Sequence, residues 1–205
     1  NKFAEFTTPN QLSMINGNNI TEVQTTTTEN INSEEDNFEY DDSFTITQVE
    51  ENPNTINIYA GTNENTELSN FAIRPFVTGN DDFKFNTVEG AFQAAKLYFT
   101  AEYLNDGAWS NETNLIFEKL QKATGAEAKN IGRNIKGLNV YEWDKVSSNR
   151  MLTLLRDSFK QNPDALAKLK ATGNAELTHT QDKTKWSTEF PRLLMQVREE
   201  LLNER

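Results

Sequence analysis

From residue 55 onward apolar residues recur at regular intervals, and before it they do not. Thr55-Ile56-Asn57-Ile58-Tyr59 alternates polar and apolar, which predicts a half-buried strand. Gly61 to Asn65 reads as a turn. Phe71 to Val77 and Phe83 to Phe85 read as short strands joined into a hairpin at Thr78-Gly79-Asn80-Asp81-Asp82. A helix is predicted from Thr87 to Leu104, with Val88, Ala91, Phe92, Ala95 and Phe99 on its buried face. A second spans Glu112 to Ala123, with Leu115, Ile116 and Leu120 turned inward. Thr124-Gly125-Ala126-Glu127 fits the S/T-x-x-E capping box and opens a third helix to Arg133. Gly137 breaks the chain, and a fourth helix runs from Asp144 to Gln161, burying Met151, Leu155 and Phe159. Asn162-Pro163 places Pro at a first helical position, so a fifth helix starts there and stops near Gly173. Glu176 to Thr180 is a candidate strand, and Pro191 is expected to open a last helix with Leu194, Val197 and Leu201 on one side. The pattern predicts a mostly helical α+β domain over residues 55–205, with a few short strands.

Residues 1–54 are different in kind. They hold Thr25-Thr26-Thr27-Thr28, many Asn, Glu and Ser, and no sustained period. A chain with so little apolar surface cannot offset the entropy of ordering, so this segment is expected to be a disordered tail. Within it, Phe38-Glu39-Tyr40 and Phe44-Thr45-Ile46 are the candidates for docking a partner protein. The chain opens on Asn1 rather than Met, as expected of a fragment or processed product.

Charge sharpens the division. The chain carries a formal net charge of −11. Residues 1–54 hold one basic residue and eleven acidic ones, a net of −10, whereas the remainder is nearly neutral at −1. A nearly neutral domain does not suit general coating of DNA or RNA, which rests on neutralising phosphates. There is no cysteine and a single histidine, which excludes disulfides, thiolate catalysis and two-His zinc motifs. No metal site and no cofactor are expected, and neither a Gly-rich phosphate loop nor a GxSxG elbow occurs. No apolar run approaches the ~20 residues of a membrane span, and the N-terminus lacks a signal-peptide core. The expected location is therefore cytoplasmic.

The helix predicted at 87–104 carries the most suggestive chemistry. On it Glu89, Gln93 and Lys96 fall within ~60° of one another, beside the apolar face. The alternative is the polar flank of an ordinary amphipathic helix. Trp109, Trp143 and Trp186 are candidates for the core or for stacking on a base. His179 is either a hydrogen-bonded structural residue or a proton carrier. Arg74, Arg133 and Arg198 suit phosphate or surface pairing.

Several stretches follow one another in order. They are Leu68-Ser69-Asn70-Phe71, then Thr87-Val88-Glu89-Gly90-Ala91-Phe92-Gln93-Ala94-Ala95-Lys96, then Ala126-Glu127-Ala128-Lys129-Asn130-Ile131-Gly132-Arg133. Trp143 and Met151 follow, with Ser158-Phe159-Lys160-Gln161-Asn162-Pro163 and Leu169 through Gly173. Leu177-Thr178-His179-Thr180, Asp182, Trp186 and Leu193 through Arg198 complete the set, which covers about residues 56–204. Together, in this order, they resemble the NADAR (YbiA-like) family.

The resemblance implies an N-glycosidase or ADP-ribosyl hydrolase that breaks a bond between a nitrogen and a ribose anomeric carbon. The implied reaction is removal of ADP-ribose from guanine in nucleic acid. A phosphoribosylated riboflavin intermediate is the alternative substrate, and a non-catalytic module for ADP-ribose or NAD is the third reading. The expected partner is accordingly a nucleotide that carries ADP-ribose or phosphoribose, including ADP-ribosylated DNA. By resemblance the catalytic residues are Glu89, Lys96 and Asp182, and the substrate-binding ones Asn70, Gln93, Arg133, Trp143, His179 and Trp186. In that scheme Glu89 is the carboxylate near the anomeric carbon. Lys96 is an amine for a Schiff base or a phosphate ligand. Asp182 or His179 transfers the proton, and Trp143 and Trp186 stack the base or ribose. Family members commonly show Asp-x-x-Trp-Gly and a Gly-rich loop. Here Asp182 lies four residues before Trp186, Ser187 replaces the Gly, and Lys183 competes for the acidic position.

Overall fold

A computed structural model of the chain describes residues 54–204. The expected tail, with its candidate docking segments, lies outside the described residues except for Asn54, whose carbonyl accepts a 2.8 Å hydrogen bond from the Glu176 amide.

The strands are few and short. β1 (Thr55–Asn57) pairs in parallel with β4 (Glu176–Thr178), so Ile56 lies opposite Leu177. β2 (Phe76–Thr78) and β3 (Phe83–Phe85) form the antiparallel hairpin that the sequence predicts, with Phe76 opposite Phe85. Its turn uses Gly79 and Asp82 at positive φ. Phe71 to Pro75, expected as strand, is loop. There Arg74 turns inward. Its Nε donates to Ser158 Oγ, its Nη1 donates to the carbonyls of Glu67 and Ser69, and its guanidinium lies 4.3 Å from the centroid of the Phe159 ring. Arg74 therefore pins the loop that carries Asn70, and burial lowers its pKa to about 10.

The rest is helical. α1 (Val88–Ala95) is the central element, packed by α3 (Asn111–Lys122), α4 (Gly125–Arg133) and α5 (Val140–Gln161). α6 (Pro163–Ala171) and α7 (Trp186–Asn203) pack on α5, and α7 also covers β4. α1 starts where expected, because the Thr87 hydroxyl accepts a 2.9 Å bond from the Gly90 amide. The capping box at Thr124 forms in full, with the Glu127 side chain returning to the Thr124 amide.

Three helix boundaries and one buried face differ from expectation. The predicted helix over 87–104 is three pieces: α1, a tighter 3₁₀ turn over Lys96–Phe99, and α2 (Ala101–Asp106) after an extended Thr100. Tertiary bonds interrupt it. Leu97 gives its carbonyl to Trp109 Nε1 and the Thr100 hydroxyl, and the Ala101 amide donates to the Gly137 carbonyl. α5 begins at Val140, four residues before Asp144, because Asn139 caps it through the Glu142 amide. α7 begins at Trp186 and contains Pro191 rather than starting there. On α3, Leu115 faces solvent and Phe117 turns inward to meet Phe83 and Phe85 edge-on.

Ile58, Phe92, Leu120, Leu155, Leu169 and Leu194 are among the residues of the continuous apolar core. Among the described residues no helix is long and apolar enough to cross a membrane.

Candidate functional site

Glu89 is the centre of the site. It stands in the first turn of α1 and is 1% exposed, although it bears a carboxylate. Such a group is normally held by donors, and here it has two. Asn70 Nδ2 donates to Oε2 at 2.5 Å, and Gln93 Nε2 donates to Oε1 at 2.7 Å. Asn70 reaches it because the Glu89 amide also donates to the Asn70 carbonyl, locking loop to helix. Gln93 is one turn further along α1, as the i, i+4 relation requires.

Gln93 is itself confined by α4. A Cβ added at Gly132 would lie 1.9 Å from Gln93 Oε1, so a larger residue there displaces the Gln93 amide or the helix. Gly125, at the other end of α4, is pressed in the same way against Phe71, where an added Cβ would fall 2.5 Å from Phe71 Cβ.

Two lysines join the carboxylate. Lys96 is 4% exposed and Lys129, on α4, is 7% exposed. Burial lowers both ammonium groups to about 8, against the upward pull of Glu89 on each and of Asp182 on Lys129. Burial raises the Glu89 pKa, and Lys129, the Gln93 hydrogen bond and Lys96 pull it back, while Asp182 adds to the rise. Asp182, in the loop before α7, is thus within electrostatic reach of both Glu89 and Lys129. It is buried, whereas Lys183 is exposed, so of these two neighbours Asp182 is the one turned toward the cluster. Its Oδ1 accepts from the Thr184 amide and hydroxyl, both at 2.6 Å, and this turn leads into α7.

Asn70, Glu89, Gln93, Lys96 and Asp182 are therefore brought together. Arg133 lies near enough to Lys129 to lower its pKa. His179 is at the margin. Its Nδ1 lies 2.7 Å from the Ile58 carbonyl, which only accepts, so Nδ1 donates. Its Nε2 is 3.9 Å from Asp182 Oδ2. The two tryptophans are placed otherwise than the stacking role requires. Trp143 is fully buried against Phe92 and Phe99, and Trp186 is 1% exposed with Phe92 edge-on at 5.2 Å. Both indoles build the wall of α1 and present no open face here. Trp109 packs with Tyr98, Tyr103 and Phe117. Arg198 holds Thr172 Oγ1 and the Ala175 carbonyl, apart from the cluster.

Lys129 is the residue that the pattern of charges did not single out. Its signal was available, since Lys129 and Arg133 share one face of a short helix at i, i+4.

The family model for the NADAR domain matches residues 58–202, which spans every element from the end of β1 through most of α7. This chain belongs to the NADAR domain family. Its fold is similar to that of the E. coli protein YbiA, solved by NMR, with a TM-score of 0.54 at 24% identity over 74% of this chain and 89% of that one. Among curated proteins none matches the chain. Family membership supports a glycosidase-like function in general. The NADAR match begins at Ile58, so the acidic segment lies outside it, and the buried Glu89 cluster lies wholly within it.

Proposed function

We propose that this protein is an N-glycosidase that hydrolyses the bond between a ribose anomeric carbon and a nitrogen, with ADP-ribose on guanine in nucleic acid as its substrate. The observation that carries this reading is the buried Glu89 carboxylate, held by Asn70 and Gln93 and faced by two lysines. Cleavage of such a bond develops positive charge on the ribose and negative charge on the departing base. A carboxylate fixed in advance stabilises the first without reorganising. Cations beside it suit the phosphates of ADP-ribose. Asp182, with His179 next to it, supplies the proton to the leaving nitrogen. Lys96, lowered to about 8, has a neutral fraction near neutral pH. Its amine adds to the ribose C1 as the bond from C1 to the guanine nitrogen breaks and that nitrogen takes a proton. The ring oxygen then leaves C1 with a proton given up by the amine, and water hydrolyses the resulting imine to ADP-ribose and free Lys96.

The assay incubates the protein with DNA bearing ADP-ribosylated guanine and, separately, with a phosphoribosylated riboflavin intermediate. Release of ADP-ribose, lost in Glu89→Gln by at least about a hundredfold, is the expected result. Release of ribose 5-phosphate from the second compound alone moves the assignment to that substrate. Tight ADP-ribose binding without turnover makes the domain a binding module. Borohydride added during turnover is expected to trap an adduct on Lys96; activity that survives Lys96→Ala with no adduct removes the imine step.

A further inference from the structure

The face of α4 that meets α1 carries Gly125, Lys129 and Gly132, which fall within about 60° of one another on a helix. At one end Gly125 packs on Phe71, the residue after Asn70. At the other Gly132 packs on Gln93. Asn70 and Gln93 are the two donors that hold Glu89. Lys129 lies between them, buried, with its Nζ 5.5 Å from the centroid of the Phe71 ring. The two close approaches of α4 thus set Lys129 between the segments that hold Glu89, within electrostatic reach of its carboxylate.

We infer that Lys129 is a positioning residue for Glu89: its ammonium is the counter-charge that favours the ionised form of this carboxylate against its burial and against Asp182. The groups that face Glu89 are Lys129 from α4, Lys96 from the turn after α1, and Asp182 from the loop before α7, with Arg133 one turn along from Lys129. Among the charges, Lys129 acts on Glu89 most strongly, ahead of Lys96 and opposed by Asp182. A carboxylate this deeply buried takes up a proton unless charge is placed against it, and a protonated Glu89 stabilises no cation on the ribose. Lys129 also faces Asp182, so removing it leaves two acids to repel one another. The catalytic part of this inference rests on the glycosidase reading; the ionisation of Glu89 does not.

The test follows the Glu89 carboxyl by NMR titration of glutamate-labelled full-length protein, with its signal assigned by loss in Glu89→Gln. In Lys129→Met the midpoint is expected to rise by about one pH unit or more, and in Lys129→Arg to return toward wild type. If Lys129→Met does not fold, Lys129→Gln takes its place. An unmoved midpoint overturns the inference. A purely structural Lys129 lowers stability at all pH values and leaves that midpoint in place. In parallel, the acid limb of kcat/KM on ADP-ribosylated guanine is expected to move upward with the carboxyl. A midpoint one pH unit higher gives about a tenfold loss on the acid limb, and a smaller loss at higher pH. If wild type turns over none of the substrates, the glycosidase reading fails, while the NMR titration still decides the role of Lys129.

Discussion

A single missing methyl group shapes the site. Gly132 leaves room for the Gln93 amide, which then turns its NH₂ to Glu89. Gly132→Ala places a carbon 1.9 Å from Oε1, so either the helices part or Gln93 releases Glu89. The expected cost is about 1–3 kcal/mol in urea unfolding, together with lost turnover. A stability within experimental error of wild type would show that the contact has slack. Glu89 itself was legible in part. Its type and position stood out in the sequence, since Glu89, Gln93 and Lys96 share one side of a predicted helix. That Glu89 is buried, and fixed by Asn70 from a separate loop, depends on contacts no local spacing reports.

At the scale of elements, local signals were accurate at Thr87 and Thr124. Each bonds an amide three residues on, and α1 and α4 start beside them, whereas the Asn139 cap starts α5 four residues before the predicted Asp144. Thr87→Ala is expected to cost about 1 kcal/mol, with fraying at Glu89 seen as faster amide exchange in the first turn of α1. Unchanged exchange there would mean that packing alone holds the helix start. The local signals failed where a distant segment competes for backbone groups. The apolar period continues through Phe99, but Gly137 takes the Ala101 amide and Trp109 takes the Leu97 carbonyl, so the helix stops as an α-helix at Ala95. This break has a use. It sets Lys96 at the corner where the helix tightens, beside the carboxylate rather than in solvent. Similarly, Pro191 signals a helix start, yet the Asp182–Thr184 turn begins α7 five residues earlier and brings Trp186 into the wall.

For the molecule as a whole, burying three charged groups together makes stability depend on pH in a predictable sense. The folded forms of Lys96 and Lys129 titrate near 8, below the ordinary lysine value of 10.5. Between these values the unfolded chain binds more protons, so stability is expected to rise as pH increases from about 8 toward 10.5. Glu89 acts in the opposite sense. Its pKa is raised above 4.5, so the folded chain holds the extra proton and stability falls as pH climbs from 4.5 through its folded value. Urea unfolding of wild type and Lys96→Met across this range checks both. The variant is expected to be more stable near pH 7 and to show a flatter rise above about 8. Parallel curves would mean that Lys96 is solvated. A fold that carries this burden in one cluster fits a site maintained for chemistry rather than for stability.

The sequence by itself determined the starts of α1, α4 and α6, the β2–β3 hairpin, the mostly helical class, the family resemblance and the Glu89–Gln93–Lys96 set. Each of these rests on residues close in the chain or on ordered motifs. The tertiary structure decided the parallel pairing of β1 with β4, the break after Ala95, the inward turn of Asp182 rather than Lys183, and the entry of Lys129 into the cluster. It also decided that Trp143 and Trp186 are wall and not open platform. The physical reason is common to all of these. Spacing along a helix says which side chains share a face, but only the packing of that face against α4, α5 and α7 says whether the face is closed, which charges meet across it, and what they do to one another's protons.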